Sequence, residues 1–317
     1  MTIITRRTIL GVGMALMALP TRRAAAEGVV LRAGDQKGGM MSVMKAAGVM
    51  DDLPFKVEWS QFPAAAPVLE ALNAGAVDLA YAGDAPTTFS LAAGVAGHII
   101  SIIRTTGAGT AVMVRPDSPI HSIADLKGRT VAANRGSIAH HLLLALTEQQ
   151  GWPAGTIKLA NLLPAEAKSA LSAGAVDAWC SWGVYLAQAK LANEVRVVTD
   201  ASHGVLPNLS YVTASDTAIA DRHPALLEFC RRLAVARRWA ASHPSEFARV
   251  LAADIGVSEA VARLTFDTDA VVPVAADTAV VADEQKVADR YRAAGLIRTP
   301  LDAGKLFDTS FNAALGA

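Results

Sequence analysis

Two α/β lobes, each a mostly parallel sheet flanked by helices and joined by a two-segment hinge, are predicted by three features of this chain. Strand-like and helix-like segments alternate over residues 29–93 and again over 129–180. Such alternation puts helices on both faces of a parallel sheet. One stretch nearly recurs: Ala71-Leu72-Asn73-Ala74-Gly75-Ala76-Val77-Asp78 matches Ala170-Leu171-Ser172-Ala173-Gly174-Ala175-Val176-Asp177 at seven of eight positions, offset by 99. The chain of 317 residues is too long for one average domain, and 52% hydrophobic against 18% charged residues supplies a large core.

The first lobe opens on the strand Val29-Val30-Leu31-Arg32-Ala33-Gly34, and a helix follows over 39–47. Phe55-Lys56-Val57-Glu58-Trp59 alternates with the period of a strand. A helix over 67–74, a strand over 77–81 and a helix over 86–93 complete the pattern. The second lobe repeats it: strand 129–133, helix 138–150, strand 156–159, helix 165–172, strand 176–180. Each copy of the repeat is a helix end, a glycine stop and a strand start, and glycine suits the stop because the residue past a helix often has positive φ. Beyond Tyr211 the pattern turns helical. A long helix over 224–242 ends at His243-Pro244, an amphipathic one carries Ala260, Val261 and Leu264, and a third covers 284–294. These should pack back on the first lobe. Lobe 1 is then 27–113 plus 215–317 and lobe 2 is 114–214, with crossings near 112–117 and 211–216 forming a hinge.

Residues 1–26 read as an export signal. Arg6-Arg7 precedes an apolar run of 12 residues, Ile9 to Pro20, and Ala24-Ala25-Ala26 offers a cleavage site. The run is shorter than the ~20 residues that span a bilayer, and the paired arginines are of the twin-arginine type. Removing its four arginines from the 29 basic residues leaves 25 against 29 acidic ones. No basic surplus exists to drive nucleic-acid binding. Only Cys180 and Cys230 occur, too few for a disulfide scaffold or a cysteine zinc module, and both are expected as buried thiols.

Ligands of open parallel sheets bind outside the carboxyl ends of the strands. Three turns there stand out: Asp35-Gln36-Lys37-Gly38-Gly39, Gly83-Asp84-Ala85-Pro86-Thr87-Thr88 and Asn134-Arg135-Gly136-Ser137. Each opens a helix, whose first amides lack acceptors and whose dipole is positive at that end, so the turns favour anions. Asp84 reads as an N-cap with Pro86 in the first turn, and Ser137 as the cap of the helix that Gly151 ends. Arg135 and Lys37 add full positive charge, and an arginine can hold an oxyanion through two parallel bonds. Gln36 can serve as donor or acceptor. Aligning the repeats sets Trp182-Gly183 opposite Gly83-Asp84, so Trp182 should face the cleft with Tyr185 in the same turn, and Trp179 should be core. No Gly-x-Ser-x-Gly or His-Glu-x-x-His pattern occurs, and the adjacent His140 and His141 diverge on a helix. No catalytic residue, metal ligand or cofactor is expected.

In this order and spacing, these residues resemble the aliphatic-sulfonate-binding proteins of ABC importers, within the wider sulfonate, taurine and nitrate group. The first-lobe pieces are Gly34-Asp35-Gln36-Lys37-Gly38, Val57-Glu58-Trp59, Leu69-Glu70-Ala71-Leu72-Asn73-Ala74-Gly75 and Gly83-Asp84-Ala85-Pro86. The second-lobe pieces are Arg135-Gly136-Ser137 with Ala139-His140, Leu163-Pro164-Ala165-Glu166-Ala167, Asp177-Ala178-Trp179 with Trp182 and Tyr185, and the adjoining Pro207-Asn208. The resemblance implies a type II-like periplasmic binding protein fold. It implies a monomer that closes on a small organic anion, an aliphatic sulfonate, and delivers it to an ABC permease with its cytoplasmic ATPase. Family site positions carry over to Gln36, Gly83, Asp84, Arg135, Gly136, Ser137 and Trp182, and Lys37, Ala85 and Asn208 complete the candidate set.

Two departures make the site less polar: Trp182-Gly183-Val184-Tyr185 stands where the family commonly has Trp-Asp-Pro-Tyr, and Ile138 where a second serine is usual. The same fold also suits taurine, nitrate or a thiamine-precursor pyrimidine, or a receptor serving a sensor. The alternative of another class is a desulfinase-like enzyme with Cys180 as its candidate nucleophile.

Overall fold

The computed structural model describes residues 28–268 and 271–315, and the export signal expected over 1–26 lies outside them. The first lobe starts with β1 (Val30–Gln36), α1 (Met40–Ala46), β2 (Lys56–Phe62), α2 (Ala65–Asn73), β3 (Leu79–Gly83), α3 (Asp84–Ala92) and β4 (Gly97–Arg104). The chain then crosses to a second sheet with β5 (Thr110–Val114), β6 (Thr130–Ala133), α4 (Ile138–Gln149), β7 (Lys158–Asn161), α5 (Pro164–Ser172), β8 (Ala178–Trp182), α6 (Gly183–Leu191) and β9 (Arg196–Asp200). It returns with β10 (Leu209–Ser215), followed by α7 (Asp216–Ser242), α8 (Pro244–Ile255), α9 (Glu259–Thr268), β11 (Val272–Val274) and α10 (Thr278–Ala293).

The sheets have the orders β11-β4-β10-β3-β1-β2 and β7-β6-β8-β5-β9. In each, one central strand runs antiparallel to its neighbours: β10 in the first and β5 in the second. These are the strands that arrive from the other lobe, so they enter from the opposite end. The remaining parallel pairs, β1 with β2 and β3 and β6 with β7 and β8, match between the lobes. The pairing also corrects the expected crossings. β5 belongs to the second sheet and β10 to the first, so the chain crosses over residues 105–109 and 201–208 rather than within those strands.

The near-repeat is structural. Both copies lead into equivalent strands, β3 paired parallel with β1 and β8 paired parallel with β6, and Gly75 and Gly174 take φ of +69° and +71°. Asp78 accepts the Arg32 backbone N–H at 2.8 Å, and Asp177 accepts that of Thr130 at 2.8 Å. Each aspartate thus pins the start of the strand beside its own.

Burial follows the layers. One face of the first sheet packs Met40 and Met44 of α1 against Phe229 and Leu233 of α7, and α2 covers the other face with Val68, Leu69 and Leu72. In the second lobe, α4 contributes Leu142, Leu143 and Leu146 to one side, and α5 and α6 pack Leu171 and Leu186 on Trp179 at the other. Cys180 and Cys230 are free and buried in different cores, as expected of structural thiols. α7 begins eight residues before the helix expected from 224 and is broken at Arg222, two residues before Pro224. Proline removes an amide donor and clashes with the preceding turn, which accounts for the break. Pro244 also starts α8, a helix not expected from the sequence, because its fixed φ suits a first turn.

Candidate functional site

A cleft of about 320 Å³ lies between the lobes. Thr105 and Asn208 of the two crossings line it, with Thr110, Leu209 and Ser210 from the adjoining strand starts. On one flank, Arg290 of α10 donates to Glu148 of α4 at 2.6 Å and meets His141 Nε2 at 2.7 Å. On the other, α6 packs on α9 and Val184 joins the first-lobe core. The lobes therefore touch on both sides of the opening.

Of the residues expected at the site, Gln36, Lys37, Gly83, Arg135, Gly136, Ser137, Trp182 and Asn208 line this cleft. Asp84 and Ala85 do not, and both are fully buried. Gly83, extended at φ −66° and ψ 168°, takes the N-cap position instead of Asp84. Starting the helix one residue earlier rotates the Asp84 carboxylate inward. There it accepts the Ala85 N–H at 2.6 Å and lies 3.8 Å from His141 Nδ1.

The β1–α1 turn differs from its expected role as well. Its positive helix end is met by the chain's own Asp35, a fully buried carboxylate that accepts the N–H groups of Gln36 and Met41, both at 2.8 Å. Gly39 is required there, since a Cβ would lie 2.1 Å from Asp35 Oδ1. Burial pushes the Asp35 pKa up to about 6, against the lowering effect of the amides and of Arg237. Gln36 donates Nε2–H to the Tyr81 carbonyl at 3.1 Å, which leaves one side-chain N–H for other partners. Lys37 is exposed.

The β6–α4 turn is the most developed of the three. Ser137 caps α4, accepting the His140 N–H at 3.3 Å and donating its hydroxyl to the Asn134 carbonyl at 2.6 Å. Gly136, at φ +77°, donates its N–H to His140 Nδ1 at 3.2 Å. Burial, followed by the Arg135 and His141 charges, lowers the His140 pKa to about 4, so the ring is neutral and can accept that bond. The Arg135 backbone is tied to Asn161 Oδ1 at 2.8 Å. Its guanidinium is exposed and has no hydrogen-bond or ion-pair partner among the described residues.

Trp182 ends β8 and caps α6, as the repeat alignment placed it, with its ring edge-on to Tyr185 at 6.3 Å. No side chain caps α6, and Gly183, at φ +54°, has open space where a side chain would begin. Asn208 serves the backbone: its amide nitrogen donates to the Ala201 and Leu206 carbonyls at 2.9 and 3.0 Å. It sits against Gly107 of the other crossing, where any Cβ would come within 2.2 Å of that nitrogen. Both side-chain N–H groups of Asn208 are thus committed to holding the crossing.

Several lining residues had no sequence signal of their own. Tyr81 lies inside a strand, while Leu251 and Ile255 come from the unexpected α8. Phe89, on α3, stands 3.9 Å from where a Gly136 Cβ would be, so it marks the α4 end of the cleft. Leu251 lies 3.0 Å from the corresponding point at Gly38 and marks the α1 end. Among the described residues, the charged side chains lining the cleft are Lys37 and Arg135, with no aspartate or glutamate. Cys180 lies in the core behind, donating to the Ala139 carbonyl at 3.4 Å, and burial pushes its thiol pKa far up. A thiol so placed is a poor nucleophile.

Residues 55–247 of the 317 match the NMT1/THI5-like family model. The chain belongs to the NMT1/THI5-like family. An Escherichia coli (strain K12) relative described as aliphatic sulfonates-binding is 36% identical over 202 residues, which is 62% of this chain and 63% of that one. The Bacillus subtilis (strain 168) protein of the same description is 26% identical over 194 residues, 61% and 58% of the two chains. The matched segment thus spans less than two thirds of either relative.

Solved structures overlap more fully. The periplasmic aliphatic sulphonate binding protein SsuA from Escherichia coli superposes with a TM-score of 0.80 at 29% identity, covering 88% of this chain and 92% of that one. The alkanesulfonate-binding protein SsuA from Xanthomonas axonopodis pv. citri, bound to MOPS, gives 0.83 at 27%, covering 90% and 99%. The desulfurization enzyme DSZB shares the fold, with a TM-score of 0.66 at 17% identity. The fold expected from the sequence, that of a two-lobe periplasmic binding protein, is the fold observed.

Proposed function

We propose that this NMT1/THI5-like protein is the periplasmic receptor of an ABC importer and binds an aliphatic sulfonate between its lobes. The observation that carries this reading is the charge of the cleft: Arg135 and Lys37 line it, with no carboxylate among the described residues. The N-termini of α4 and α6 add the positive ends of two helix dipoles. Phe89, Trp182, Tyr185, Leu251 and Ile255 give the same cleft an apolar wall suited to an organic tail. The names of the Escherichia coli and Xanthomonas relatives support the sulfonate class.

Two rivals on the same fold fit less well. Taurine carries an ammonium group that would want a carboxylate. Nitrate is small for a cavity of about 320 Å³, room for ~10 waters at ~30 Å³ each. An anion held by both lobes favours the closed form, because its contacts are complete only there. The closed surface is then what the permease recognises, and its cytoplasmic ATPase drives the import. Export by a twin-arginine signal over 1–26 and a monomeric state belong to the same proposal.

Calorimetric titration with ethanesulfonate, 1-hexanesulfonate, taurine and nitrate tests it. The expected order places hexanesulfonate first. Arg135→Ala should cost about tenfold or more in its affinity, the scale of one hydrogen bond to a charged group, with the fold unchanged by circular dichroism. Absence of sulfonate binding to the wild-type protein would overturn the reading.

A further inference from the structure

Behind Tyr81 lies a buried cation without a hydrogen-bond or ion-pair partner among the described residues. Arg237 of α7 is 7% exposed, and its Nε is a buried polar atom with no hydrogen-bond partner. No hydrogen bond or ion pair of this side chain occurs among the described residues. Burying a guanidinium this way is costly unless its charge is used. Its charge favours ionisation of Asp35, but that carboxylate is already committed to the α1 amides. What Arg237 does face is an aromatic ring: its guanidinium carbon lies 5.2 Å from the Tyr81 centroid.

Tyr81 lines the cleft, and its hydroxyl has no hydrogen-bond partner among the described residues. Beyond the exposed Lys37 and one free N–H of Gln36, the helix ends of the first lobe offer an anion little. Asp35 fills the N-terminus of α1, the Asp84 carboxylate takes the Ala85 amide of α3, and Gln36 spends one N–H on the Tyr81 carbonyl. Arg135, Gly136 and Ser137 all belong to the second lobe. A ligand that closes the lobes needs a partner on each side.

We infer that Tyr81 donates its hydroxyl to the bound anion from the first lobe, and that Arg237, packed on the ring, strengthens that donor as a positioning residue. A cation against a ring draws electron density from it, and a buried charge acts through a low-dielectric medium. The pair sets a preference for negatively charged ligands opposite Arg135. This inference rests on the reading of the cleft as an anion receptor, but not on the anion being a sulfonate.

The test is calorimetric titration of the full-length mature protein with 1-hexanesulfonate, sulfate and nitrate as probes. Variants are Tyr81→Phe, Arg237→Gln, Arg237→Lys and the double variant Tyr81→Phe/Arg237→Gln. Tyr81→Phe and Arg237→Gln should each weaken the anion that binds by about tenfold. The double variant should be no weaker than Tyr81→Phe alone, and Arg237→Lys should restore most of the loss. Unchanged affinity in Tyr81→Phe overturns the inference, even if Arg237→Gln fails to fold, because the phenylalanine keeps the packing. Additive losses in the double variant also overturn it, since they assign Arg237 a separate structural role. If sulfate or nitrate binds with this dependence and hexanesulfonate does not, the inference stands and the sulfonate reading falls. If no anion binds the wild-type protein, both fall.

Discussion

Arg290 of the first lobe holds Glu148 of the second at 2.6 Å, across the seam beside the cleft. The same guanidinium meets His141 Nε2, and Tyr291, the next residue, packs its ring against His141. Both partners lie on α4, whose N-terminus carries Gly136 and Ser137 into the cleft. The helix that presents the second-lobe half of the site is thus tied directly to the first lobe. Arg290→Ala removes both contacts. It should weaken ligand binding several-fold and shift the ligand-free protein toward a larger radius of gyration by small-angle scattering. Glu148→Ala should do so by less, since its carboxylate is 64% exposed and exposed pairs contribute ~0.2–1 kcal/mol.

A buried acid under α3 predicts a pH effect of definite sign. Glu284 is fully buried, bonded by Thr88 and by the Tyr211 hydroxyl at 2.6 Å. Burial, with the Asp84 charge adding to it, pushes its pKa up to about 8. A carboxyl whose folded pKa exceeds its unfolded value near 4.5 stabilises the fold fully below that unfolded value. The contribution is lost as pH rises through the folded pKa. Glu284→Gln removes this proton linkage while keeping the shape. Its unfolding temperature relative to wild type should therefore climb between pH 5 and pH 8, by a few degrees. A difference that does not vary with pH over that window would contradict the assignment.

Asn208 separates a hinge role from a binding role. Its side chain donates only to the Ala201 and Leu206 carbonyls, and its backbone sits at φ +56°. Asn208→Gly keeps the backbone conformation and loses the bonds, at a cost of about 1 kcal/mol in stability per lost bond. Asn208→Ala adds strain on top. Denaturant unfolding should rank wild type above Asn208→Gly above Asn208→Ala. Hexanesulfonate affinity in Asn208→Gly should fall far less than in Arg135→Ala.

These cases also mark what was legible beforehand. The repeat placed Trp182 at a strand end because Asp78 and Asp177 play one role in two sheets, and that role is fixed by local pairing. The caps Ser137 and Gly151 follow from side-chain chemistry within a few residues. Asp84 was misplaced because the direction of a side chain at a helix start depends on a one-residue phase, which the extended Gly83 decides. The strands β5 and β10 were assigned to the wrong lobes because membership of a sheet is settled by hydrogen bonds to distant strands. Tyr81 was missed because its role depends on Arg237, 156 positions later in the chain.

Gly183 offers a specificity test. It opens α6 at φ +54°, with free space at its Cβ position. Aspartate tolerates that left-handed conformation better than most residues, so Gly183→Asp should fold with little loss. The variant would place a carboxylate in a cleft whose described lining has none. Like charges repel in a confined, partly desolvated site, so hexanesulfonate affinity should fall by about tenfold or more, the equivalent of ~1.4 kcal/mol. Taurine should gain in the same variant, because its ammonium would find a partner to ionise against. Parallel titrations of both ligands against wild type and variant give the answer. A fall for both would mean that the new side chain merely blocks the cleft, and no change for either would place the anion away from α6.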